Sequence, residues 1–298
     1  MKKVTLTVVL VCLAAQPLRA CLNSLSATTL DGHKVRRSDI AFWEIRDSRK
    51  RDMTVEGAEM ERKFRGKCDF TNRNDYAVAL VFLGRYDEAI SLLQSLEKET
   101  PNHYATAANL GTAYELSGNN ELALQWIEEG IRRNPRSHKG SEWVHVEILR
   151  AKIQQQSNPD YFQKHSVLNF DANAIKPKTE SITVAGMKRT PVEVRDAIHY
   201  QLGERLQFVK SKDPVVASLL FDYGALEAAT RTVESARQLM RMAVEFGYPA
   251  EKVTPFYAQF EHAIHIGDLR RFAFWGMVGF FVVALLSYAV KRRWIRLA

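Results

Sequence analysis

Residues 75–101, DYAVALVFLGRYDEAISLLQSLEKETP, and residues 103–135, HYATAANLGTAYELSGNNELALQWIEEGIRRNP, decide the fold. Laid over one another at an offset of 34, Gly84 falls on Gly118, Ala89 on Ala123 and Pro101 on Pro135. Leu80 and Leu93 fall on Tyr114 and Ile127 at the same offset. Each matched position has a physical task. A glycine at the end of a first helix takes the left-handed conformation that a Cβ disfavours. An alanine early in the second helix lets the two helices approach closely. A proline stops that second helix and opens the next unit. The unit is therefore a helix–turn–helix of 34 residues, repeated.

A period of 34 with these small and helix-breaking positions resembles the tetratricopeptide repeat. The resemblance implies an all-α, helix-turn-helix solenoid in which the first helix of each unit lines a concave face. Such faces take extended or helical peptides. In the second unit that face is expected to carry Ala105, Ala108, Asn109, Thr112 and Glu115, with Lys139 beside it from the following segment. Some family members clamp a peptide's terminal carboxylate with two lysines, two asparagines and an arginine spread over three units. Asn109 and Lys139 match two of those places. Asn74, Val78 and Trp143 stand at the others, so the lysine, asparagine and arginine of that clamp are missing here.

Working outward, residues 72–156 are read as the repeats with a capping helix. Trp143, Val146, Leu149 and Ile153 recur at helical spacing, but Lys152 stands where the register asks for a glycine. Residues 157–190 read as loop, with a short hairpin around Ala185-Gly186. Residues 191–268 read as a C-terminal helical region. Thr190-Pro191-Val192-Glu193 is a capping box with proline at the first helical position, and its helix is expected to reach Phe208. Pro214 opens a second helix expected to stop at Gly224. Ala236, Met240, Ala243 and Phe246 mark a third, the pair resembling a repeat with a lengthened turn. Thr254-Pro255 is expected to start the last helix. Residues 21–71 are polar and alternate in charge.

The ends supply a topology. Residues 1–20 combine Lys2 and Lys3, an apolar run from Val4 to Ala15 and a small residue at Ala20, the pattern of a cleavable signal peptide. Residues 272–290 hold no charge and, at about 1.5 Å each, reach about 28 Å, a single transmembrane helix. Lys291, Arg292, Arg293 and Arg296 follow in the tail 291–298. The positive-inside tendency puts that tail in the cytoplasm and the body outside it, on the periplasmic side of an inner membrane. The formal charge of +8 comes largely from these ends. Removing Lys2, Lys3, Arg19 and the four tail cations leaves +1, which is no footprint for a nucleic acid. Of three cysteines, Cys12 leaves with the leader. Cys21 and Cys68 can form a disulfide, or Cys21 can be lipidated with Cys68 free, or both can stay as thiols.

For chemistry the sequence offers little. It contains no P-loop, GxSxG, HExxH or dinucleotide fingerprint. No metal, cofactor or small-molecule substrate is expected. His262 and His265 lie three apart, and His138, Glu142 and His145 fall near one helix face without a third convergent element. The expectation is a non-enzymatic adaptor with a protein or peptide partner. The alternatives are a structural subunit of a larger envelope complex, and an enzyme using residues 169–189 or the histidine-bearing helices.

Overall fold

The computed structural model describes residues 26–36 and 40–292. The leader, Cys21 and the arginines of the tail beyond Arg292 lie outside them. A short antiparallel hairpin, β1 (Ser26–Thr28) and β2 (Lys34–Arg36), is followed by α1 (Ile40–Lys50) and α2 (Met53–Phe64). The repeats follow as α3 (Phe70–Phe82), α4 (Tyr86–Glu99), α5 (Tyr104–Leu116) and α6 (Asn120–Arg133). Then come α7 (Glu142–Ser157), the short α8 (Tyr161–Lys164) and a second hairpin, β3 (Ile182–Val184) with β4 (Met187–Arg189). The chain ends in α9 (Pro191–Arg205), α10 (Pro214–Thr230), α11 (Val233–Glu245) and α12 (Ala250–Lys291).

The repeat glycines act as their spacing demands. Gly84 and Gly118 have φ of 74° and 91° and follow α3 and α5, and their amides bond back to Val81 and Glu115 carbonyls. Between α5 and α6 the approach is close enough that a Cβ on Gly111 would lie 2.5 Å from Ile127 Cδ1. Leu93, Leu96, Leu110, Tyr114, Ala123 and Ile127 form the core between the units. Upstream, α2 packs on α3 in the place of a preceding second helix. Asp52 caps it by accepting from the Thr54 amide, and it buries Met53, Gly57 and Phe64. This helix was not assigned in the sequence.

The 34-residue register breaks at a left-handed turn. His138, Lys139 and Gly140 all have positive φ, at 45°, 57° and 72°. That turn occupies the place where a third first-helix would begin, so α7 starts at Glu142. The helix is also buried on two sides. Val146 and Leu149 join the repeat core, while Val144, Ile148 and Ala151 join a second and larger core.

The larger core surrounds α10, whose residues from Val215 to Ala228 are all buried. Here the structure corrects three expectations. Gly224 does not stop the helix: it sits inside α10 because α11 crosses there, and a Cβ would meet Met240 Cγ at 2.7 Å. The turn between α10 and α11 is short, only Arg231 and Thr232, rather than lengthened. The last helix begins at Ala250, with Pro255 inside its second turn. Pro255 lies past the orphan amides of the helix start and so removes the bond its amide would make to the Glu251 carbonyl. The N-terminal hairpin folds against this last helix: Lys34 pairs with Asp268 at 2.9 Å, and Arg270 donates to the Asp31 carbonyl at 2.8 Å.

At about 1.5 Å per residue the 42 residues of α12 extend about 63 Å. Its first half packs on the body through Val253, Phe256, Phe260 and Ala263. Its second half is apolar and bare; Phe272 is 81% exposed and Phe280 71%. This is the one described helix long and apolar enough to cross a membrane.

Candidate functional site

The first helices α3, α5 and α7 present the face on which the six groove residues were placed. Asn109 is half-buried and donates from Nδ2 to Asn74 Oδ1 at 3.1 Å, linking α5 to α3. Ala105 is half-buried and Ala108 buried, so the wall beside Asn109 is low. Thr112 turns its hydroxyl to the Ala108 carbonyl. Lys139 is exposed on the left-handed turn, its ammonium 5.8 Å from the centre of the Tyr200 ring.

Glu115 stands differently: it is 5% exposed and belongs to a network closed by the chain's own α9. Its Oε1 accepts from Lys152 Nζ at 3.0 Å and from Arg205 at 2.8 Å, and its Oε2 meets His145 Nε2 at 2.7 Å. His145 also faces Glu142 Oε2 at 3.6 Å, and Glu142 is paired with His138 and accepts from the Tyr104 hydroxyl at 2.9 Å. Nearby, Gln201 of α9 donates to Ser141 at 3.0 Å and Tyr200 stacks on His138. Helix α9 therefore lies across the C-terminal end of α5 and the start of α7. It leaves a cavity of about 100 Å³ lined by Thr112, Glu115, His138, His145, Gln201 and Arg205 among others.

The electrostatics follow from this geometry. Burial drives the Glu115 carboxyl toward neutrality, but Arg205, His145 and Lys152 outweigh it and hold the pKa well below the usual carboxylate range. Glu142 is depressed in the same way by His138 and His145 against its burial. Burial works to lower His145, yet Glu115 and Glu142 raise it; His138 is raised first by its bond to Glu142. Both imidazoles are thus biased toward the cation. With both protonated, four cations meet Glu115, Glu142 and the cavity-lining Glu204, which also raises His138.

A sequence model of the tetratricopeptide repeat family matches residues 80–139, from the end of α3 through α6 to the left-handed turn. That segment is a stretch of tetratricopeptide repeat. No curated protein matches the chain. The matched repeats are of a kind whose stacked first helices bind other proteins.

Of the residues singled out in the sequence, the structure brings Thr112 and Glu115 together at the α9 seam, leaves Ala105 and Asn109 half-buried on α5 outside that cavity, and sets exposed Lys139 against Tyr200 of α9. His138, Glu142 and His145 do converge, and the third element they lacked in the sequence is Glu115 with Arg205. Among the described residues no group of three or more His, Cys, Asp or Glu is placed to hold a metal ion. Cys68 is exposed before α3, its thiol 3.8 Å from the Gly66 carbonyl, and its proposed partner Cys21 lies outside the described residues.

Proposed function

We propose that this protein is a membrane-anchored adaptor that holds a protein or peptide partner on the concave face of its repeats, with its body outside the cytoplasm. The observation that carries the proposal is the strip of Ala105 and Asn109 on α5 outside the α9 cavity, with Lys139 exposed on the turn that follows α6. Small side chains on the wall leave room for a backbone, and the Asn74–Asn109 amide pair offers a donor and acceptor at its edge. The bare half of α12 supports the anchor, and the cations that follow it support a cytoplasmic C-terminus. The helix runs without a break from Ala250 to Lys291, which supports a rigid link between body and anchor.

The test is an affinity capture of the full-length, detergent-solubilised protein after crosslinking in cells, beside a variant carrying Asn109→Ala and Lys139→Glu. The proposal expects a partner that the variant loses. A partner set unchanged by the variant moves binding off this face. The α9 seam favours one second reading, that of a structural subunit, because the chain itself fills half of the face. In that case the body depends on fixed neighbours and loses stability when purified without them.

A further inference from the structure

A second surface, built by other helices of the body, has the chemistry of a receptor for acidic peptide. Helices α1, α11 and α12 bound a groove of about 590 Å³ whose walls include Trp43, Arg46, Arg49, Arg237, Arg241 and Met242. Trp43 is 43% exposed, a large indole left at the surface. The Arg46 guanidinium lies over that ring at 3.8 Å, which holds it flat and pre-orders its outer donors.

The groove's carboxylates do not neutralise its arginines. Glu234, one of two that line it, is taken by β1: it accepts from the Thr28 amide and hydroxyl, both at 2.8 Å. Glu245 reaches Arg49 only at 3.7 Å. From outside the groove Glu261 pairs with Arg237 at 2.5 Å, and Asp47 stands 3.7 Å from Arg46. Arg241 is exposed, with no carboxylate within 4.0 Å among the described residues. With Glu261 and Asp47 counted, four carboxylates stand against four guanidiniums, and the positive charge left open to a ligand is that of Arg241, with Arg46 beside it held only loosely by Asp47. Arginines and an exposed tryptophan beside a methionine are the composition of a binding hot spot. Planar guanidiniums match carboxylates through paired donors.

We propose that this groove binds an acidic segment of a protein partner, its carboxylates on Arg46 and Arg241 and an apolar side chain between Trp43 and Met242. The proposal is independent of the concave-face reading. A membrane headgroup is the rival anion, and the placement of the arginines disfavours it. Helix α11 runs antiparallel to α12, being joined to it by residues 246–249 only, and Arg237 pairs with Glu261 and lies over the Tyr257 ring at 5.7 Å, so Arg241 lies farther along, away from the apolar half. Glu261 and Tyr257 precede Phe272 by 11 and 15 residues. At about 1.5 Å per residue Arg237 therefore lies about 16–22 Å along the helix from the start of the apolar span, with Arg241 beyond it. The headgroup layer extends only about 5–8 Å beyond the hydrocarbon.

The test uses full-length protein in neutral detergent and two fluorescent twelve-residue probes. One alternates glutamate with leucine around a central phenylalanine; the other has lysine in place of every glutamate. Fluorescence anisotropy is expected to show binding of the acidic probe that weakens with salt. The double variant R46A/R241A is expected to lose about tenfold or more in affinity, the effect of two charge-assisted contacts. The double variant N109A/K139E is expected to bind as the parent does, which separates this groove from the concave face. Because Arg46 also packs on Trp43, the charge-reversed R46E/R241E provides a control for misfolding: it should gain the lysine probe while losing the acidic one. Equal binding of both probes by the parent protein would overturn the proposal. So would unchanged affinity in R46A/R241A, or binding to anionic-lipid nanodiscs that R46A/R241A weakens while acidic-probe binding stays unaffected.

Discussion

Replacing Glu115 by glutamine keeps the side-chain shape and removes the one charge on which α5, α7 and α9 converge. Arg205, Lys152 and His145 would then face a neutral amide in a buried site. Breaking a buried ion pair from one side costs about 3–5 kcal/mol, because the remaining charge is left uncompensated. Two features reduce that figure here. The Lys152 side chain is 26% exposed and can turn to water, and His145 can release its proton. The lower end, about 3 kcal/mol, is therefore expected, and at about 2–4 °C per kcal/mol it lowers the melting temperature by about 6–12 °C. Denaturant titration of the full-length protein in detergent measures it. The double variant Glu115→Gln with Arg205→Met should recover most of the loss, since removing both partners of a buried pair is close to neutral. A change below about 0.5 kcal/mol in the single variant, the range of an ordinary surface substitution, would refute the account of this network.

Three further outcomes follow from the same contacts. The histidines are raised and the carboxylates depressed, so the contribution of Glu115 and Glu142 is present above about pH 4.5 and that of His138 and His145 below about pH 6.5. The stability gap between parent and Glu115→Gln should thus be widest near pH 5–6 and narrow by pH 9, as the imidazoles lose their protons; melting curves at three pH values check this. Asp222 is 1% exposed, and burial pushes its carboxyl well up, so its contribution falls as pH rises above about 3.8. Asp222→Asn should stabilise the protein by about 1–2 kcal/mol at pH 8 and by less at pH 5. Gly111→Ala gains helix propensity but drives a methyl into Ile127, for a net loss of about 1–2 kcal/mol in the same titration.

The repeat was legible because its constraints are local. A left-handed Gly84 or Gly118, an alanine at a helix crossing and a proline at a helix end each leave a mark within a few residues. Where burial is two-sided the marks vanish. In α7 the stripe of Trp143, Val146, Leu149 and Ile153 does not reveal the second core that Val144, Ile148 and Ala151 join, and the all-round burial of α10 makes Gly224 look like a stop when it marks a crossing with Met240. Helix α2 did carry a signal, Asp52 before Met53, Gly57 and Phe64 at helical spacing, among charges that masked it. The site was half legible. His138, Glu142 and His145 share a short stretch of chain, whereas Glu115 and Arg205 are 90 residues apart and meet only because α9 folds back over the repeats.

The central claim is that the strip beside α9 holds a partner, and site-specific photocrosslinking in cells tests it most directly. A photoreactive side chain placed at Ala105 or Asn109 should capture a discrete partner protein, while one at Glu128 on the outer helix α6 should not. Capture from Glu128 with none from Ala105 or Asn109 would contradict it.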